Sequence, residues 1–201
     1  MGQPRSPKPV KLVMSVITAR EDLVEGILAD LKGTYGETDF VGPWMVFDFT
    51  DYYRPEMGPD LKRRILAFER LIAPETLPSV KHRTNRIEED YANRGRRRVN
   101  IDPGYLSGEH VILATTKAYA HRPYLRDGIY ADLTLIYHGK SYRSLDWTYP
   151  DYRQPETIRI FNAIRRTYLS QLSGRPEAGT RRGSGGCGTS GPDHLEESTP
   201  V

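Results

Sequence analysis

The sequence predicts an α+β domain with a mostly antiparallel sheet. Three observations predict it. A short, nearly continuous apolar run of strand length opens the chain, two neighbouring segments alternate with period two, and amphipathic segments at helical spacing follow or close the strands.

Leu12 to Ile17 (LVMSVI) is the opening run, of the kind expected in a strand buried on both faces. Thr18 with Glu21 offers a capping box, and Leu23, Ile27, Leu28 and Leu31 follow at helical spacing with Gly33 as the stop. WMVFDFT sets Met45, Phe47 and Phe49 against Trp44, Val46, Asp48 and Thr50, and Arg64 to Leu71 alternates likewise, so the two read as antiparallel strands. A second helix is expected over Arg86 to Arg94, with Asn85 and Glu88 at capping-box spacing. RRRVNI reads as a strand closed by a turn at Asp102-Pro103-Gly104. The order to this point is β-α-β-β-α-β, that of a ferredoxin-like core. HVILATT is β-branched enough for another strand, though Ser107 could equally cap a helix there, while IYADLTLIY and SYRSL form a hairpin about His138-Gly139. A C-terminal helix starts at Pro155, with Ile158, Phe161, Ile164, Tyr168 and Leu172 on one stripe.

The chain of 201 residues fits one domain at 10–172. Residues 1–9, with three prolines, read as an extended arm, and the Gly/Ser/Pro-rich segment 173–201 reads as a disordered tail. No apolar run is long enough to cross a bilayer, so no membrane partner is expected and the default compartment is the cytosol. The only cysteine, Cys187, lies in the tail, which removes cysteine chemistry from the core. The formal charge of +3 is also peripheral. Residues 1–11 carry three positive charges, and 173–201 carry three against four negative, which leaves the core near +1. Charge alone makes no case for nucleic acid.

No P-loop, G-x-G-x-x-G after a strand, H-E-x-x-H, C-x-x-C or G-x-S-x-G occurs. Four loop clusters remain. DFTDYYRPE carries Asp48, Asp51 and Tyr52 at a strand end, and NIDPGYL carries Asn100, Asp102 and Tyr105. TKAYAHRPYLRDG brings Lys117, His121, Arg122, Arg126 and Asp127 within a dozen residues. There Lys and Arg would donate to phosphate or carboxylate, and His121 would be the acid or base if chemistry occurs. LDWTYPDYR supplies Trp147 and Tyr149 as stacking surfaces. Each cluster also has an ordinary reading, as turn chemistry, packing or a solvated face. Asp48, Asp51, Asp102, Asp127 and Asp132 with His121 would suit Mg²⁺, although no two His stand at ligand spacing on a helix.

The succession DFTDYY..EMG, FERLI, RRVNIDPGYL, TKAYAHRPYLRDGIYADLTL and WTYPDYR resembles the bacterial domain-of-unknown-function family 4416, from about Lys8 to Leu172. That resemblance implies no established activity. Some members carry a GTP-binding label, yet this chain lacks the P-loop chemistry that would hold a triphosphate. The leading expectation is a protein that binds a small nucleotide-like or phosphate-type anion at loops on the strand ends, with catalysis left open. The alternative is an RNA-binding or protein-interaction module that uses the sheet face, the Arg94 to Arg98 run and exposed tyrosines.

Overall fold

The computed structural model describes residues 2–174. The expected tail beyond Gly174, with Cys187, lies outside the described residues, and residues 2–9 carry no regular secondary structure. The domain is α+β, with four helices and an open sheet in which every strand pairing is antiparallel.

Strand β1 (Val10–Thr18) is buried along its whole length, because helices cover both faces of the sheet here. This explains the unbroken apolar run. On one face, Leu12, Met14 and Val16 meet Ile27 and Leu31 of α1 (Val24–Tyr35) and Val80 and Ile87 of α3 (Leu77–Asp90). On the other, Val13 meets Phe161, Ile164 and Tyr168 of α4 (Pro155–Leu172). Each fully buried Leu, Ile or Phe contributes roughly 1.5–3 kcal/mol. Lys11, also fully buried in β1, pairs with Asp39 and donates to Gln171 Oε1 at 2.8 Å, which ties α4 to the sheet edge.

Strands β2 (Thr38–Val41) and β3 (Met45–Val46) both pair with β4 (Lys62–Ile72). A four-residue helix, α2 (Arg54–Met57), lies in the long segment between β3 and β4. The rest of the sheet is β5 (Asn100–Leu106), β6 (His110–Thr115), β7 (Tyr124–Arg126), β8 (Ile129–His138) and β9 (Ser141–Ser144). The order is β2-β4-β1-β5-β6-β8-β7, with β9 also on β8.

Several local expectations are corrected. Thr18 Oγ1 accepts from Arg20 N and donates to the Arg98 carbonyl, and Glu21 pairs with Lys62, so no capping box forms; a 3₁₀ turn at Glu21–Leu23 leads into α1. That helix passes Gly33 and stops at Gly36, whose φ of 92° suits glycine. WMVFDFT is a strand only at Met45–Val46, after which Phe47 N donates to the Leu61 carbonyl and the chain leaves the sheet. Helix α3 begins at Leu77 with Pro78 in its first turn, so Asn85 and Glu88 lie on its interior face rather than at a cap. Asp102-Pro103-Gly104 is not a turn. The three residues stay extended because β1 pairs with them throughout, Ser15 with Asp102 and Val13 with Gly104.

Candidate functional site

The sheet splits between β5 and β6. The two strands pair only at Gly104 with Leu113, Tyr105 with Ile112 and Leu106 with Val111, whereas β5 stays with β1 to Asn100 and β6 stays with β8 to Thr115. Two residues mark the parting. Gly104 sits so close to β6 that a Cβ there would stand 2.4 Å from the Ile112 carbonyl oxygen. Pro103 has no N–H to donate. Ser107 N donates towards β6, to the His110 carbonyl. The alternation of an antiparallel strand therefore turns Pro103 and Ile101 the same way. Ile101 has no strand partner on that side; its N–H donates to Glu88 Oε1 at 2.7 Å and its carbonyl accepts from Lys81 Nζ at 3.1 Å. Two side chains of α3 thus replace the missing strand and satisfy buried backbone groups.

The split opens a cleft of about 1020 Å³. Its floor is Ser15 and Ile17 of β1, Asn100 and Asp102 of β5, and Asp132 of β8. Its walls are the α3 face with Lys81, Asn85 and Glu88, the 47–53 segment with Phe47, Tyr52 and Tyr53, Arg97, Lys117, and the 149–152 segment. A connected chain of polar groups runs along the floor. Arg97 binds Glu56 Oε2 at 2.7 Å and Asn100 Oδ1 at 3.2 Å, Asn100 Nδ2 donates to Asp102 Oδ2 at 2.7 Å, and Lys81 Nζ donates to Asp102 Oδ1 at 3.3 Å. Both Asp102 oxygens are therefore occupied. The Glu56–Arg97 clamp pins the segment between β3 and β4 to the cleft wall. Below it, Asp151 pairs with Arg63, whose guanidinium also donates to Thr157 Oγ1 at 2.8 Å and lies 4.9 Å from the Tyr152 ring.

Of the residues expected at a site, Tyr52, Asn100, Asp102, Lys117 and Tyr149 line the cleft. Lys117 Nζ lies 4.0 Å over the Tyr52 ring and has no carboxylate in ion-pair reach among the described residues. It holds the Tyr52 phenol below its ordinary pKa by hydrogen bonding and charge. The other expected residues do other work. His121 is outside the cleft, stacked on Trp147 with ring centroids 5.0 Å apart, and its Nε2 is 3.8 Å from Asp132 Oδ2, too far to bond. Arg122 braces the rim, donating to Asp132 Oδ2 at 2.7 Å, Tyr149 OH at 2.6 Å and the Lys117 carbonyl at 3.2 Å. Trp147 Nε1 donates to the Leu133 carbonyl at 2.8 Å. Arg126 and Asp127 pair with each other at the β7–β8 turn, and Arg126 reaches Ser79 Oγ on α3 at 2.8 Å. Tyr105 packs against Leu77, Ala114 and Ile129. Asp48 and Asp51 line a separate depression of about 280 Å³ beside Arg54 and Asp60. The suggested Mg²⁺ ligands thus do not converge, and among the described residues no group of three His, Cys, Asp or Glu side chains is placed to hold a metal.

Lys81 and Glu88 were not foreseen at the site, while Tyr53 lies in the expected DFTDYYRPE cluster and Arg97 in the Arg94 to Arg98 run. Lys81, Asn85 and Glu88 stand at i, i+4 and i+7, a spacing that would have placed them on one helix face had α3 been started at Leu77. Burial pushes the Glu88 carboxyl up to about 7, against the pull of Lys81, the Ile101 N–H and Arg97.

The family model for a domain of unknown function, DUF4416, matches residues 8–168. The chain belongs to that family. The DUF4416 match covers every strand and all of α4 but its last turn, so the cleft lies wholly within the family domain. Neither the curated proteins nor the solved structures contain a match to the chain. Among the described residues no helix is long and apolar enough to cross a membrane.

Proposed function

We propose that this DUF4416 domain binds a small anionic ligand, of nucleoside-monophosphate size and of nucleotide or phosphate type, in the cleft between β5 and β6. The observation that carries the reading is the pairing of a concavity of about 1020 Å³, walled by Phe47, Tyr52, Tyr53 and Tyr149, with a Lys117 ammonium that no carboxylate among the described residues neutralises. Cavities of this order hold cofactor-sized molecules. In this reading Lys117 meets the phosphate or carboxylate, the tyrosines face a flat ring, and Asn100 and Asp102 meet polar groups of the ligand body. The lining contains the acids Glu88, Glu89, Asp102, Asp132 and Asp151 against Lys81, Arg97 and Lys117, which disfavours a polyphosphate. The surrounding order β2-β4-β1-β5, with α1 and α3 as crossovers, supports a ferredoxin-like core beneath the site.

The test is a thermal-shift screen of the full chain against nucleoside monophosphates, nucleoside triphosphates and sugar phosphates, with and without Mg²⁺. A ligand at 100 times its Kd adds about 2.7 kcal/mol, a rise of roughly 5–10 °C at this chain length. Lys117→Ala removes the rise and His121→Ala keeps it. No rise with any compound refutes the reading.

One observation favours a second reading. Tyr119, Trp147 and Tyr149 are 68%, 40% and 44% exposed around Arg122, a surface on which single-stranded RNA bases could stack. It predicts RNA association that weakens steeply with salt, and a flat salt response counts against it.

A further inference from the structure

Glu88 stands apart from the other carboxylates of the cleft, of which Glu89 is exposed to solvent. Asp102 has both oxygens hydrogen-bonded, and Asp132 and Asp151 each pair with an arginine. Glu88 has one oxygen fixed and one unused. Oε1 accepts from the Ile101 N–H at 2.7 Å. Oε2 makes no hydrogen bond among the described residues and has Arg97 Nη1 at 3.9 Å, an ion-pair contact too long for a hydrogen bond. Nor is Oε2 sealed: among the described residues the buried, unpartnered side-chain polar atoms are Arg64 Nε, Arg98 Nε and His121 Nε2. The residue lines the cleft, so its free oxygen opens there.

We propose that Glu88 is the acid–base group of the cleft, giving and taking a proton through Oε2 at the cleft surface. As an acid, its O–H bond breaks as a ring nitrogen or carbonyl oxygen of the bound molecule gains the proton. The carboxylate left behind keeps the Ile101 N–H on Oε1, with positive charge from Arg97 and from Lys81 two turns away on the same face of α3. As a base it runs in reverse. The charged and titratable groups that bear on it come from several walls: Lys81 on α3, Asp102 on β5, Arg97 on the segment before β5, and Tyr53 across the cleft, while Glu89 beside it on α3 is exposed. Burial raises the carboxyl to about 7, where both protonation states are populated. This deepens the ligand reading above, on which it rests for the identity of the proton's partner. It orients the ligand with its anion at Lys117 and a proton acceptor at Glu88.

The test needs no ligand. The full chain is treated at pH 7 with a water-soluble carbodiimide and glycine methyl ester, which label carboxyls through their protonated form, and modified peptides are quantified by mass spectrometry. An ordinary glutamate is almost wholly ionised at this pH, whereas a carboxyl raised towards 7 keeps much of its proton, so Glu88 should be labelled about tenfold or more faster than exposed Glu25 or Glu75. Carboxyl ¹³C NMR should show one titration near neutrality that is lost in Glu88→Gln. Labelling of Glu88 no faster than of the exposed glutamates, or a midpoint in the ordinary carboxylate range, overturns the proposal. The two readings fail separately. A ligand screen without a hit removes the nucleotide reading but not preferential labelling, whereas absent labelling removes the role of Glu88 whatever the screen finds.

Discussion

Asp151 offers the sharpest test of how the cleft wall is held. The Asp151→Ala variant removes one partner of a buried ion pair and leaves the Arg63 guanidinium, 3% exposed, without a counter-charge. Thr157 Oγ1 at 2.8 Å and the carbonyl of residue 151 at 3.3 Å survive as neutral acceptors, and the Tyr152 ring still lies 4.9 Å away. Breaking a buried pair on one side typically costs about 3–5 kcal/mol. The surviving acceptors place this case near the lower end, at about 3 kcal/mol, or a fall of roughly 6–12 °C in Tm for a chain of this length. Urea denaturation, followed by circular dichroism and tryptophan fluorescence, measures it. The double variant Arg63→Met/Asp151→Ala removes the stranded charge together with its partner, and it should be more stable than the single variant. A single-variant cost below about 1 kcal/mol, or a double variant less stable than the single, would show that the pair does not carry the wall.

Two further outcomes follow from the same geometry. Gly104→Ala forces a Cβ to within 2.4 Å of the Ile112 carbonyl oxygen, so β5 and β6 must separate above the cleft, at a cost of about 3 kcal/mol in urea denaturation; a neutral effect would contradict the close approach. Glu88 shifts from its ordinary value near 4.5 to about 7 in the folded state, so the native protein holds a proton that the unfolded chain has lost between these values. Stability of the wild type relative to Glu88→Gln should therefore fall as pH rises through that interval, by about 3 kcal/mol in all, and level off above it. A flat difference across pH 4–8 would contradict the shift.

The amino-acid sequence by itself determined the elements whose periodicity is written along the chain. The central strand could be read because helices bury both its faces and demand an unbroken apolar run, and α4 because Phe161, Ile164 and Tyr168 recur at helical spacing behind Pro155. The α+β class and the antiparallel sheet followed from these. Helix α3 was started too late because its first turns, LPSVKHRT, bury Leu77 and Val80 while carrying Lys81 and two further bases, so its local pattern is weak. Asp102-Pro103-Gly104 carries a turn signal, but pairing with β1 outweighs local preference and keeps it extended. Sequence reading reached Tyr52, Asn100, Asp102, Lys117 and Tyr149 as candidates through loop chemistry, and it also picked His121, whose ring proves to be packed on Trp147. Only the tertiary structure decided where the site lies. The cleft exists because β6 leaves β5 to follow β8, and Glu88 and Lys81 gain their roles by capping the strand edge that this departure exposes. That edge depends on contacts between segments far apart in the chain, and no local pattern of residues encodes it.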